Sequence, residues 1–259
     1  MSYDRKKIER ILEDTPLSLS LFSIIDSTNS EAKRHAARGE PTPALFLAEE
    51  QSAGRGRMGR SFFSPKETGI YLSLLLKTDA SLADPITATT AAAVAVRKAI
   101  LDVTGISTGI KWVNDLYVGD KKVCGILAES FFLGETRYLI VGVGVNLSTT
   151  DFPEELTNVA GALLSEPTDL RDTLAAEIAL RLYQALTQGD AAEMLEDYRK
   201  HSIVLGTRIT YTQNGTLCEG IAEEINEFGH LLVRHDDGTK ALLSSGEISL
   251  RIKNEGDRR

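Results

Sequence analysis

Three arginines alternate with three glycines between Gln51 and Arg60, in the segment Gln-Ser-Ala-Gly-Arg-Gly-Arg-Met-Gly-Arg. Glycine lets backbone come close to a ligand, and each guanidinium offers a planar fork of donors suited to carboxylate or phosphate. The whole chain carries a net charge of -8, so this local cluster of positive charge points to a small anion held in a pocket. Gly54, Gly56 and Gly59 also satisfy G-x-G-x-x-G. That pattern binds a dinucleotide only where a strand turns straight into a helix whose N-terminus takes the pyrophosphate. Here Phe62-Phe63-Ser64-Pro65 follows, then the apolar run Gly69 to Leu76. A second strand stands where the helix should be, and the dinucleotide reading fails.

The elements that must carry this loop lie on both sides of it. Residues 4–13 have the spacing of a short amphipathic helix, and Leu19–Ile25 reads as a strand. Thr28 and Glu31 have capping-box spacing and Gly39 can close the far end, which predicts a helix over 29–38. A strand feeding a capped helix sets small hydroxyl and amide side chains at a positive helix end. A polar ligand suits that place as well as a cap does. Ala44–Ala48 reads as the strand ahead of the loop. Asp84-Pro85 opens a helix that Gly105 ends. Gly109–Val113 reads as a strand, and Leu116–Val118 and Val123–Ala128 as hairpin arms around Gly119-Asp120. Arg137–Leu147 is a nearly continuous apolar run, as in a central strand, and an edge there could also pair subunits. Helices are expected over 170–188 and 190–200. Past Gly206 the turn signals Asn214-Gly215, Gly229 and Asp236-Asp237-Gly238 predict four or five short strands in a small barrel or sandwich.

Composition bounds the reading. A chain of 259 residues, 42% hydrophobic and 25% charged, suits a large domain with a small one attached. No apolar run approaches the length of a membrane span, and the charged start is no signal peptide. Cys124 and Cys218 stand too far apart for a metal or redox spacing, so a cytoplasmic protein is expected. The acidity argues against nonspecific nucleic-acid binding, which needs a broad basic surface.

Several separated segments share one order: Asp26-Ser27-Thr28-Asn29, Gln51 to Arg60, Lys111-Trp112-Val113-Asn114-Asp115-Leu116, Lys122-Val123-Cys124-Gly125-Ile126-Leu127 and Gly142-Val143-Gly144-Val145-Asn146-Leu147. Together they resemble the biotin protein ligases, from about Ser23 to Gly246-Glu247-Ile248-Ser249-Leu250-Arg251. The resemblance implies an α+β fold. A mixed-sheet catalytic domain with helices packed on it (1–204) would precede a small SH3-like β-barrel domain (205–259). It implies a two-step reaction in which biotin and Mg-ATP (ATP with Mg2+) give biotinyl-5'-adenylate. The biotinyl group then passes to a lysine of a biotin carboxyl carrier domain, as in acetyl-CoA carboxylase.

Carried over by resemblance, Ser27, Thr28, Asn29 and Gln51 would hydrogen-bond the ureido ring. Gly54, Arg55, Gly56 and Arg57 would form the loop over biotin and the adenylate phosphate, and Arg60 a further phosphate contact. Lys122 would contact the biotin carboxylate and α-phosphate, and Gly125 would let backbone approach the ligand. Asn114 and Asp115 match a pair near the phosphates; Asp115 could orient or deprotonate the acceptor lysine or help hold magnesium. Asn146 would reach adenine or ribose. Phe62 stands where relatives often carry tryptophan against adenine, and Val113 replaces their usual proline. Blander readings stay open: a helix cap for Thr28, a turn dipeptide for Asn114-Asp115, a core side chain for Phe62, a solvated Lys121. Glu247 and Arg251 match positions linked to ATP binding and transfer, although an ion pair explains them nearly as well.

A lipoate or octanoate ligase would share the fold, but the related transferases use a cysteine nucleophile and neither cysteine here has that context. An inactive biotin-binding protein is the other alternative, and Lys122, Arg57 and Asp115 argue against it. About twenty residues precede the catalytic region, too few for a winged helix-turn-helix, so no operator binding is expected. The chain could act as a monomer or a homodimer.

Overall fold

Apolar runs broken by turns build one mixed sheet with helices on both faces, followed by a small antiparallel sheet. The computed structural model describes residues 2–78, 84–213 and 215–244, together with the backbone of 248–250. Helix α1 (Arg5–Ile11) starts at Asp4, whose carboxylate accepts from the Lys6 and Lys7 amides. Strand β1 (Ser18–Phe22) leads to α2 (Thr28–Ala37), and β2 (Ala44–Ala48) through the arginine–glycine loop to β3 (Gly69–Lys77). Helix α3 (Pro85–Thr104) begins at an Asp84 cap and ends at Gly105, where φ is 73° and a side chain would be disfavoured. Then come β4 (Gly109–Lys111), β5 (Asp115–Val118), β6 (Lys121–Leu133) and β7 (Thr136–Asn146). Helices α4 (Arg171–Thr187) and α5 (Ala191–Lys200) complete this part.

The strand order is β1-β2-β3-β7-β6-β5-β4, with β1 and β2 parallel and the other pairs antiparallel. Strand β7 therefore lies between two partners. The expectation that it offers an edge to a second subunit is wrong, because its backbone donors and acceptors are paired on both sides.

Alternation along β7 decides where ligand space can exist. Leu139, Val141, Val143 and Val145 face α3 and α4 in the main core, while Tyr138, Ile140, Gly142 and Gly144 face the other way. On that second face α2 buries Ala32 and Ala36 against Phe46, Leu75 and Ile140. Beyond α2's cover, Gly142 and Gly144 present no side chain and the sheet is left hollow.

One expected cap is corrected here. Ser27, not Thr28, is the N-cap of α2, and it makes no side-chain capping bond; Thr28 is already helical. Its hydroxyl bonds Gln51 instead, so a tertiary partner has displaced the local one.

The second sheet holds β8 (Arg208–Gln213), β9 (Thr216–Ile225), β10 (Leu231–Arg234), β11 (Lys240–Leu243) and β12 (Ile248–Leu250), in the order β11-β10-β9-β8-β12. Ile209, Ala222 and Val233 bury into a core continuous with that of the large part. Trp112 Nε1 donates to the Gly229 carbonyl at 2.9 Å, and Arg199 Nε to that of Ile225 at 2.6 Å. The α+β architecture thus matches expectation. Glu247 and Arg251 lie outside the described residues. No helix among those described is long and apolar enough to cross a membrane.

Candidate active site

A cavity of about 280 Å³ occupies the hollow face of the sheet. Gly144 faces Gly125 across β7 and β6, and Gly142 faces Ser73 on β3. A Cβ at Gly144 would lie 2.4 Å from the Phe62 ring, and one at Gly142 would lie 2.1 Å from Asn29 Oδ1. Close approach therefore requires glycine at both positions.

One end of the cavity is a hydrogen-bonded group at the start of α2. Gln51 Oε1 accepts from the Thr28 amide at 2.9 Å and the Thr28 hydroxyl at 3.1 Å, while Gln51 Nε2 donates to Ser64 Oγ at 2.9 Å. Ser73 Oγ lies 2.7 Å from Thr28 Oγ1 and 2.5 Å from Asn29 Oδ1, and its one proton can serve either. Asn29 Nδ2 donates to Glu129 Oε2 at 2.9 Å. Burial would raise the Glu129 carboxyl, but donors from Lys33, Asn29 and Arg55 outweigh it and hold it below the usual glutamate range. Arg34 binds Asp26 through two bonds of 2.7 and 2.8 Å, and this pairing brings the Asp26 carboxyl down to about 2. Both partners are nearly half exposed, so the pair is worth under about 1 kcal/mol. The buried alanines, not this ion pair, hold α2 in place.

The other end is cationic. Arg57, Arg60, Lys111 and Lys122 all line it, with Asp115 the carboxylate among them. Lys122 Nζ lies 2.7 Å from Asp115 Oδ1. Arg57 Nη1 donates to Asn114 Oδ1 at 3.1 Å, and Asn114 Nδ2 donates to the Ile126 carbonyl at 2.9 Å. Lys111 stacks over the Tyr117 ring at 5.2 Å. The loop carrying the arginines closes on itself: the Gly56 amide donates to the Arg60 carbonyl at 2.7 Å, and the Phe62 amide to the Gly54 carbonyl at 2.9 Å. One short 3-10 turn, Arg57–Gly59, is its only helical content, as the failed dinucleotide pattern anticipated. Two unit negative charges 4 Å apart repel by about 4 kcal/mol at an effective dielectric of 20, so a site that joins two anions needs such cations.

The biotin/lipoate A/B protein ligase family matches residues 21–146, and the biotin protein ligase C-terminal domain matches 204–251. A bifunctional ligase/repressor from Bacillus subtilis is 33% identical over 239 residues, covering 88% of this chain and 72% of its own length. A biotin–[acetyl-CoA-carboxylase] ligase from Mycobacterium tuberculosis is 30% identical over 243 residues, covering 89% of this chain and 88% of its own. This chain belongs to the biotin protein ligase family. Among solved structures, the biotin protein ligase of Aquifex aeolicus in complex with biotin and ATP has a TM-score of 0.76 at 26% identity. That match covers 90% of this chain and 98% of the Aquifex chain.

In this member of the biotin protein ligase family, Ser27, Thr28, Asn29, Gln51 and Gly125 line the cavity together with Lys122. So do the loop residues Arg55, Gly56, Arg57, Arg60 and Phe62, and the pair Asn114 and Asp115. Phe62 lies over Gly125 and Gly144 with its edge toward Tyr71, so its ring belongs to the cavity wall and not to a core beside Phe63. Two expectations need correcting. Gly54 stands back at the loop base, where a Cβ would meet the Phe62 carbonyl at 2.3 Å. Asn146 is buried, and its amide donates to the Gly161 carbonyl at 3.1 Å, so it fastens that segment to β7 and does not reach into the cavity. Arg55 turns its guanidinium to Glu129 through two 2.9 Å bonds. Lys121 is not merely solvated either, since its Nζ donates to the Thr157 carbonyl at 3.1 Å. Cys124 is buried with its thiol pushed up by desolvation, consistent with no chemical role.

Sequence reasoning missed Ser73, Glu129, Gly142 and Gly144 as site formers. Signals for them exist. Val141-Gly142-Val143-Gly144-Val145 alternates bulk with none at period two, and Glu129 is a charge inside a strand run, where it must find partners.

Proposed function

We propose that this chain is an ATP-dependent ligase that activates biotin as biotinyl-5'-adenylate and transfers the biotinyl group to a lysine of a biotin carboxyl carrier domain. The carrying observation is that one cavity joins a neutral hydrogen-bonding end, at Thr28, Asn29 and Gln51, to a cationic end, at Arg57, Arg60 and Lys122. A ligand with a polar ring at one end and a carboxylate at the other spans that division. The names of the relatives and the biotin and ATP in the Aquifex structure support the same ligands.

In the first step a biotin carboxylate oxygen attacks the α-phosphorus of ATP, the bond to the bridging oxygen breaks, and pyrophosphate leaves. Lys122, in the cavity wall, would draw the carboxylate and α-phosphate together, and the arginines would offset the charge that develops. In the second step the acceptor amine attacks the acyl carbon, AMP leaves with the mixed-anhydride bond electrons, and the amine loses a proton. Asp115, which pairs with Lys122, would take that proton or orient the amine. For magnesium the cavity wall offers Asp115, and among the described residues no group of three metal-ligating side chains gathers. A magnesium ion bound with the nucleotide would neutralise phosphate charge during the first step. We place the division between catalytic and C-terminal parts at 204/205, with the latter anchored through Trp112. Both cysteines are free, which suits a reducing compartment such as the cytoplasm.

Biotin-dependent ATP–pyrophosphate exchange, followed by transfer to a purified carrier domain, tests the reading. Exchange with lipoate and none with biotin would overturn it.

A further inference from the structure

Glu129 takes no part in the chemistry assigned above, yet it ties the cavity-lining Asn29 and Arg55 to each other. Its side chain is 17% exposed and receives Asn29 Nδ2 at 2.9 Å, Lys33 Nζ at 2.8 Å, and both Nη atoms of Arg55 at 2.9 Å. These donors come from the first and second turns of α2 and from the arginine–glycine loop, while Glu129 itself stands on β6. Three separate elements meet on one carboxylate.

Two consequences follow for the ligand. Asn29 Nδ2 sits between two acceptors, Glu129 Oε2 and the Leu127 carbonyl at 3.4 Å, so the nitrogen must lie on that side and both its hydrogens are committed. Oδ1 is thereby turned toward Ser73 and Gly142, inside the cavity that Asn29 lines. What Asn29 presents to a ligand is an acceptor only. Meanwhile the Arg55 fork fixes one end of the loop to the same carboxylate, and the Arg55–Ser61 bridge carries that fixation across the loop.

The geometry points to Glu129 as a positioning residue that sets Asn29 as the acceptor for a ring N–H and latches the arginine–glycine loop over the bound acid. The inference rests on the biotin reading, in which the ureido ring supplies the N–H groups. An acid whose ring lacks such donors gains nothing from this arrangement, which makes Glu129 a determinant of specificity at one remove from the ligand.

The test is pyrophosphate exchange with biotin and with desthiobiotin, which keeps the ureido N–H groups and lacks the sulfur. In Glu129→Gln the KM for both acids rises about tenfold, the scale of losing bonds to a charged acceptor, while the KM for ATP stays within about twofold. Release of preformed biotinyl-adenylate quickens by about the same factor, because Arg55 loses its charged anchor. Glu129→Asp keeps the charge and draws it back by one methylene, so it shows the same pattern at smaller size. Lys33→Met removes a donor from the carboxylate without touching Asn29 or Arg55 and leaves the KM for biotin within about twofold. An unchanged biotin KM in folded Glu129→Gln or Glu129→Asp overturns the proposal. So does a rise for biotin but not desthiobiotin, or an equal rise in the KM for ATP or in Lys33→Met. A wild type that exchanges with neither acid refutes the biotin reading instead.

Discussion

At one end of the cavity Ser73, Thr28, Asn29, Gln51 and Glu129 are bonded to one another; at the other, Arg57, Arg60, Lys111 and Lys122 line the wall with Asp115. The first end is preorganised by hydrogen bonds, the neutral ones each worth about 0.5–1.5 kcal/mol net and the one to the Glu129 carboxylate more, so it selects by shape and by donor–acceptor order. The second is lined by long charged side chains, whose donors suit an anion. On the proposed function, binding selectivity and chemical rate would then rest on different residues. The two ends should fail differently when altered.

The largest expected effect is at the cationic end. Lys122→Ala should cut biotin-dependent pyrophosphate exchange about 100- to 1000-fold, as removal of one charge-stabilising donor does, with the thermal unfolding curve nearly unmoved. An equal loss of biotin affinity would blur the division. Gly142→Ala probes the opposite end. Its Cβ would press on Asn29 Oδ1 at 2.1 Å, so the KM for biotin should rise tenfold or more, roughly the loss of one or two hydrogen bonds, and the KM for ATP should not. Arg57→Gly removes a loop cation that touches Asn114 and should release free biotinyl-adenylate several-fold faster, measured by trapping on a nonspecific amine.

Trp112→Phe lies on the seam with the C-terminal part. It leaves the Gly229 carbonyl without its donor, and urea unfolding should show a loss of about 1–2 kcal/mol. Acid gives the smallest effect. The folded Glu129 carboxyl sits below its ordinary 4.5, so its contribution to stability is complete above that value and fades as pH falls through the lower folded one. Asp26 behaves likewise between 3.8 and about 2, with a smaller amplitude because it is exposed. In Glu129→Gln the acid limb of the stability curve should be shallower; an unchanged slope would show that the Glu129 carboxyl titrates alike in the folded and unfolded chain.

How much of this was legible beforehand depends on the range of the interaction. Helix α3 was readable at both ends, because Asp84-Pro85 and Gly105 act within one turn of themselves. The strand Ala44–Ala48 and the absence of a long helix after Gly59 were equally local. The choice between a cap and a site role for Thr28 stays open in the sequence for the converse reason: Gln51, 23 residues away, takes its hydroxyl. Asn146 shares a motif with the cavity glycines and, by alternation on β7, their side of the sheet, but the carbonyl of Gly161 takes its amide.

Sequence alone determined the kinds of chemistry present. Arginines among glycines, a lysine and an acid near the hairpin, and hydroxyls and amides at a helix start are properties of residue type and short spacing, and each follows from local sterics and charge. Tertiary structure decided what each group faces. The register that sets Gly142 opposite Ser73, and the carboxylate of Glu129 lying 100 residues from Asn29, determine which atom of the Asn29 amide meets the ligand. No local pattern carries that choice, because it is made by acceptors brought in from distant strands to satisfy a buried amide and a buried charge.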